Sequence, residues 1–350
     1  MKKALMTLTA IIMITVLAAC GSSNTTSSNN EDSGFDQDRV RVVIGSSATG
    51  GDTYQIADAA SRNIEEVLGT SMKVDAIGAN QAFSELDKAK DDGSTMFFFH
   101  DMTYLSVEYG EFPEKYELEN WTVGPIVSTN PGNAYLARAD APYDTMAESA
   151  EWLENNPDET LTVAIEGGGV SEITFDLYYF WVEEEFGEDV VDRIKVYVTG
   201  SQEDKNQALW DDNADIIYGT LGANAEYTKD DVEDKIKMKF LGVTASEKVE
   251  GFDDVPTFGD QGITVDGEEA VFDKEFFYLL PKDVDEDVLT ALDNAAAEIA
   301  ESDAYGEDLD KYGYIVNYMP ANEAKDYLIE KRDNLSKLIE KAPDLDDLTK

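Results

Sequence analysis

The chain has 350 residues but only one cysteine, one histidine and 27 basic side chains, set against 74 acidic ones. A single cysteine, Cys20, excludes disulfides, CxxC redox pairs, thiolate zinc sites and any other cysteine nucleophile. A lone histidine, His100, gives no basis for a His-rich metal site or for a triad that needs a second imidazole. It closes the run Phe97-Phe98-Phe99 and reads as a packed or hydrogen-bonded residue instead of a base. The nucleotide fingerprints GxGxxG and GxxxxGK[ST] are both absent. Carboxylates are so numerous that no acid/base pair stands out, so neither an enzyme nor a cofactor is expected. A net charge of −47 repels nucleic acid and anionic headgroups, which makes both poor partners.

The amino terminus carries a different message. Lys2 and Lys3 precede an apolar run from Ala10 to Val16, and Leu17-Ala18-Ala19-Cys20-Gly21 follows. Charge, a short apolar stretch and then small residues make a secretory signal over residues 1–19. The run is shorter than the roughly 20 residues of a membrane span. Leu-Ala-Ala-Cys-Gly also resembles the bacterial lipobox, which implies lipidation of Cys20 and a location on the outer face of the cell membrane. Residues 20–35 are rich in Ser, Asn and Thr, the composition of a solvated linker.

Acidic runs such as Glu183-Glu184-Glu185 are ordinarily solvated faces. An excess spread along the whole chain points instead to a salty medium, because the Debye length shrinks to ~3 Å at 1 M salt and screens the mutual repulsion. The expectation is a halophilic source, with an unfolding midpoint that rises markedly from millimolar to molar NaCl. A flat profile in thermal melts would remove that explanation.

From Arg39 onward, short β-branched or aromatic runs alternate with longer helical periods. Strands are expected at 40–44, 72–77, 95–99, 122–127, 161–165, 194–198, 215–218 and 238–243. Ile56, Ala60, Ile64, Val67 and Leu68 recur at helical spacing, as do Val288, Leu292, Ala296 and Ile299. The aromatic stripe Phe175, Tyr178, Tyr179, Val182 and Phe186 reads as core. The class is α/β with largely parallel sheets.

Two Gly-rich turns stand where a strand should hand over to a helix: Ala48-Thr49-Gly50-Gly51-Asp52-Thr53-Tyr54 and Glu166-Gly167-Gly168-Gly169-Val170-Ser171. Glycine permits close backbone approach, and the helix that follows offers unpaired N–H groups and a positive dipole end. One such turn is often only a tight turn. Two of them fit an anion site at the carboxyl ends of the strands, with Gly50, Gly51, Gly168 and Gly169 exposing N–H groups and Thr49, Thr53 and Ser171 adding hydroxyls.

Asp254-Val255-Pro256-Thr257-Phe258-Gly259-Asp260-Gln261-Gly262 resembles the Asp-Val-Pro-Thr segment of the extracytoplasmic receptors of tripartite tricarboxylate transporters, often called Bug receptors. Gly50 to Ala57 is similar to the stretch that opens their first helix, and Asp92-Gly93-Ser94-Thr95-Met96 to their Asp-Gly-Tyr-Thr-Leu. Leu161-Thr162 with Gly167 to Ser171 resembles their second binding loop. Tyr54 stands where the family usually has an acid that meets an amino-acid ligand's ammonium group, and Thr174 falls near its frequent histidine. The resemblance implies a type II periplasmic-binding-protein fold, with two lobes, a hinge and a ligand cleft between them. Lobe 1 would be residues 36–127 plus 244–350, and lobe 2 residues 128–243. It further implies capture of a small organic carboxylate and delivery to the large and small membrane subunits of a transporter. Gly45 to Tyr54 also resembles the start of TAXI-type TRAP receptors, and a lipid-anchored sensory module would carry the same binding lobes.

Overall fold

The structure is a computed structural model that describes residues 35–349. The expected signal peptide, the expected lipidation site Cys20 and nearly all of the expected linker lie outside the described residues. Along the chain come β1 (Arg39–Ile44), α1 (Asp52–Leu68), β2 (Ser71–Ala76), α2 (Ala79–Leu86), β3 (Thr95–His100), α3 (Met102–Glu108) and β4 (Thr122–Asn130). There follow β5 (Asn133–Arg138), α4 (Met146–Asn155), β6 (Leu161–Ile165), α5 (Val170–Phe186), α6 (Glu188–Val191), β7 (Ile194–Val198), α7 (Gln202–Trp210), β8 (Ile216–Thr220), α8 (Leu221–Asn224) and β9 (Met238–Val243). The last part holds the hairpin β10 (Thr264–Val265) and β11 (Glu268–Glu269), then β12 (Lys274–Leu280), α9 (Glu286–Ala300), α10 (Asp303–Asp310), β13 (Ile315–Met319), α11 (Ala321–Ile339) and α12 (Leu345–Leu348).

These strands form two main sheets, ordered β13-β4-β12-β3-β1-β2 and β7-β6-β8-β5-β9. In the first, Val42, Ile44, Met96 and Phe98 pack on the side of α1 and α9, while Val43, Phe97 and Phe99 pack on the other with Phe83 and Leu105. Both faces are therefore covered, which is why the strands are continuous apolar runs. Helix α5 behaves likewise, with every residue from Val170 to Tyr179 buried, so its aromatic residues are core on more than one side.

The expectation of largely parallel sheets is corrected. Strand β1 is parallel to β2 and β3, and β6 to β7 and β8, but β12 is antiparallel to both β3 and β4, β13 to β4, and β5 to both β8 and β9. The physical reason is the path of the chain. It leaves the first sheet along β4 and re-enters it along β12, so these neighbours run in opposite directions. Strands β5, β12 and β13 were not expected from the sequence.

Residues 128–130 continue β4 within the first sheet. The stretch after β9 stays with the second sheet: the Val243 and Phe258 amides donate to the Pro256 and Val243 carbonyls, and Phe258 stacks on Tyr135 at 5.7 Å. The Asp254–Gly262 segment thus closes an edge of that sheet, and none of its residues lines the cleft described next.

Candidate ligand cleft

Each sheet feeds two helices from the carboxyl ends of parallel strands, β1 to α1, β2 to α2, β6 to α5 and β7 to α7. The first turns of all four helices converge on one cavity of about 360 Å³. Its wall includes Gly51, Asp52 and Thr53, then Gly78, Ala79 and Asn80, then Gly169, Val170 and Ser171, and finally Gly200, Ser201 and Gln202. Gly78 adopts φ 82°, a left-handed value that glycine takes without strain, and it turns the chain directly into α2. The leading N–H groups of a helix have no partner within it, and the dipoles place positive potential at this end. Among the described residues, the amides of Gly169, Val170 and Ser171 find no protein acceptor. Four such ends, two from each sheet, make a cavity suited to negative charge.

The cavity also holds two ion pairs, one buried on both sides and one with a buried lysine and a half-exposed carboxylate. Lys274 Nζ lies 2.8 Å from Asp52 Oδ2, which also accepts from Asn130 Nδ2 at 3.0 Å. The Thr53 amide donates to Asp52 Oδ1 at 2.7 Å. Burial pushes the Asp52 carboxyl upward, but Lys274 and these hydrogen bonds outweigh it and hold the group below its ordinary value. The second pair joins Lys205 Nζ to Glu166 Oε2 at 2.9 Å, with Lys205 only 1% exposed. Between them stands Tyr218, whose ring lies 5.5 Å from Lys205 Nζ. Its phenol is pushed well above its usual value by burial and then by the charge on Asp52. His100 is held well below its usual value by burial and by Lys274 and Lys331, so it is neutral at physiological pH. Its Nδ1 accepts from the Met102 amide at 3.2 Å, which puts its proton on Nε2.

The residues expected from the sequence divide. Gly51, Thr53, Gly169 and Ser171 line the cavity together. Thr49 and Gly50 are exposed and outside its wall, although a Cβ on Gly50 would come within 2.9 Å of Glu203 Oε1. Tyr54 packs against the core of the first sheet. Gly168, at φ 73°, faces Glu111, and its amide is taken by Glu172. Thr174 is fully buried behind the cavity, bonded to Tyr135 Oη at 3.0 Å and to the Val170 carbonyl at 2.9 Å. Sequence reasoning missed Asp52, Lys205, Lys274, Tyr218 and the cleft-lining position of His100. A signal existed for both lysines. Lys205, Ala208 and Leu209 share the buried face of α7 at helical spacing, and Lys274 heads a strand buried from end to end.

Helices α3 and α5 meet beside the cleft. Ser106 Oγ donates to the Gly168 carbonyl, and Tyr109 Oη donates to Asp176 Oδ2 at 2.6 Å. Burial, opposed by the Tyr109 hydrogen bond and reinforced by Glu172, raises the Asp176 carboxyl well above its usual value. Glu172 is pushed up to about 7, chiefly by burial, with Glu111 and Asp344 adding to it against the Gly168 amide. A raised carboxyl binds its proton more tightly when folded. Stability is therefore complete below the unfolded value near 4.5 and is lost as pH climbs to about 7. Relative to wild type, Glu172→Gln should gain about 2 kcal/mol between pH 4.5 and pH 7, measured by paired urea unfolding. A difference that does not change with pH would show that Glu172 ionises normally.

The profile of the tripartite tricarboxylate transporter family receptor matches residues 56–343. The chain belongs to this receptor family. Members are extracytoplasmic substrate-binding proteins, not enzymes, and this receptor shares their two-lobe fold. Among the solved structures it resembles is MatC from Rhodopseudomonas palustris with bound malate, at 19% identity and TM-score 0.70, covering 86% of this chain and 99% of that one. Rpa4515 of R. palustris with adipate shows 16% identity and TM-score 0.73, covering 87% and 98%. The periplasmic binding protein BugD shows 17% identity and TM-score 0.70, covering 87% and 97%. Among curated proteins, none matches. No helix of the described residues is long and apolar enough to cross a membrane.

Proposed function

We propose that this receptor captures a small organic carboxylate in the cleft and delivers it to the membrane subunits of a tripartite transporter. The observation that carries the reading is the convergence of four helix N-termini, two from each sheet, on one cavity. A carboxylate there accepts hydrogen bonds from backbone amides and from Thr53 and Ser171 without a long-range cationic field, which this acidic surface could not supply. Because its donors come from both sides, the ligand holds the lobes together, and its binding energy favours the closed form. Malate and adipate, bound by the two relatives, are natural first candidates.

We infer that the hinge of this motion lies at the two passages of the chain between the sheets, Asn130–Asn133 and Phe272–Lys274. Residues 128–130 extend a strand of the first sheet, and Phe272 accepts hydrogen bonds from Asn133 Nδ2 and Thr244 Oγ1 on the second-sheet side. The mature chain is tethered to the outer face of the membrane through lipid on Cys20, and its acidity suits a saline medium. Loss of membrane retention in Cys20→Ser tests the tether.

Titration calorimetry in molar NaCl with malate, succinate, adipate, citrate and benzoate tests the receptor reading. At 100 times its dissociation constant, a true ligand also stabilises the fold by ~2.7 kcal/mol. If no acid produces heat or stabilisation, the reading fails.

A further inference from the structure

Helix N-termini account for one ligand carboxylate, and the two cleft ammonium groups are left to explain. An ammonium has three N–H donors. Lys274 and Lys205 each spend one on a carboxylate, and no second acceptor is found for either among the described residues. Their counter-ions differ. Asp52 is itself buried and held by the Thr53 amide and by Asn130, so the Lys274 pair is locked to the chain crossing. Glu166 is 38% exposed on its side chain, and among the described residues that group is held only by Lys205. It can turn toward water. Lys205 is 1% exposed, so its charge cannot be left without a partner.

We propose that Lys205 is a specificity-determining residue that receives a second carboxylate of the ligand. Glu166 keeps the ammonium charged and in place in the empty cleft, and moves aside or shares it when the ligand's far end arrives. The preferred substrates are then dicarboxylates whose length spans from the N-termini of α1 and α5 to α7. Phe99, Phe112 and Tyr218 line the same cavity and provide apolar surface for methylenes. The inference rests on the carboxylate-receptor reading and adds a residue that sets ligand charge.

The test is a pair of matched titrations on the mature protein, succinate against butyrate and adipate against hexanoate. The members of each pair share chain length and differ by one terminal carboxylate. Wild type should favour the diacid of at least one pair by about 10- to 100-fold, the worth of a charge-assisted hydrogen bond. Lys205→Met combined with Glu166→Gln removes both charges together and should erase that preference by weakening the diacid alone. Lys205→Gln, which leaves a polar donor without charge, carries the same expectation should the first variant not fold. A purely structural Lys205 would weaken diacid and monoacid alike. That outcome overturns the inference, as does a wild type indifferent to the second carboxylate. Binding of neither acid class would overturn the receptor reading itself, and the inference with it.

Discussion

Asp101→Ala should lower the free energy of unfolding by about 3–5 kcal/mol, the usual result of removing one partner from a buried ion pair. Asp101 is fully buried at the start of α3. Its Oδ1 accepts from Tyr104 Oη at 2.5 Å and lies 2.7 Å from Lys331 Nζ, and its Oδ2 accepts from the Glu275 amide at 2.6 Å. Glu275 in turn receives Thr129 Oγ1 at 2.5 Å and Tyr327 Oη at 3.1 Å. The network therefore ties the end of β4 and the beginning of β12, the two strands that carry the chain between sheets, to α3 and α11. Alanine leaves the Tyr104 phenol and the Glu275 amide without this acceptor and strips the Lys331 ammonium of its carboxylate, leaving it the Asp273 carbonyl at 2.6 Å. Some relief comes from Glu275, whose carboxyl is raised by burial, with Asp101 adding to it against the pull of Lys331; once Asp101 is gone, Glu275 ionises more readily. Urea unfolding at pH 7 measures the cost. Asp333→Ala, at an ion pair whose carboxylate is 61% exposed, should change stability by less than about 1 kcal/mol. Equal effects from the two variants would show that the buried network contributes nothing of its own.

The second large effect is on binding. Gly51→Asp should weaken carboxylate affinity by at least about 100-fold, or ~2.7 kcal/mol. The structure makes this substitution clean. Gly51 has φ −94°, open to any residue, and a Cβ there meets nothing within 4 Å. The change therefore adds negative charge at the mouth of α1 without disturbing the fold, where two like charges a few ångströms apart in a partly dry site repel by several kcal/mol. Gly169→Asp is a second probe, since its nearest obstacle is the flexible side chain of Met102, with Cγ at 3.0 Å. Gly168→Asp is a poor one, because φ 73° and a 2.5 Å approach to Glu111 would strain the chain whatever the ligand did. Gly306→Asp, on α10 with open space around it, is the control and should leave affinity unchanged. Native affinity in Gly51→Asp, with an intact circular dichroism spectrum, would move the ligand away from this helix end.

The sequence by itself determined the features whose cause is local. Alternating apolar runs and helical periods located β1, α1, β3, β6, α5 and α9, because burial on both faces of a sheet or along one side of a helix writes a period into a dozen neighbouring residues. Glycine before Asp52 and before Val170 marked two helix entries for the same reason, since the need for a tight turn is met within a few residues. Family membership, too, was legible in the order of short segments from Gly50 to Gly262. Only the tertiary structure decided what depends on residues far apart. Strand β12 lies between β3 and β4, antiparallel to both, and this insertion brings Lys274 to Asp52, 222 positions away. Helical spacing put Lys205 on the buried face of its helix, but what compensates its charge was not local, because its partner Glu166 lies 39 positions earlier and on another element. A lysine on a helix ordinarily keeps its ammonium in water, and it is buried only where a distant carboxylate compensates the loss of hydration. Local pattern therefore located the loops that open the cleft, and long-range packing chose the charges inside it.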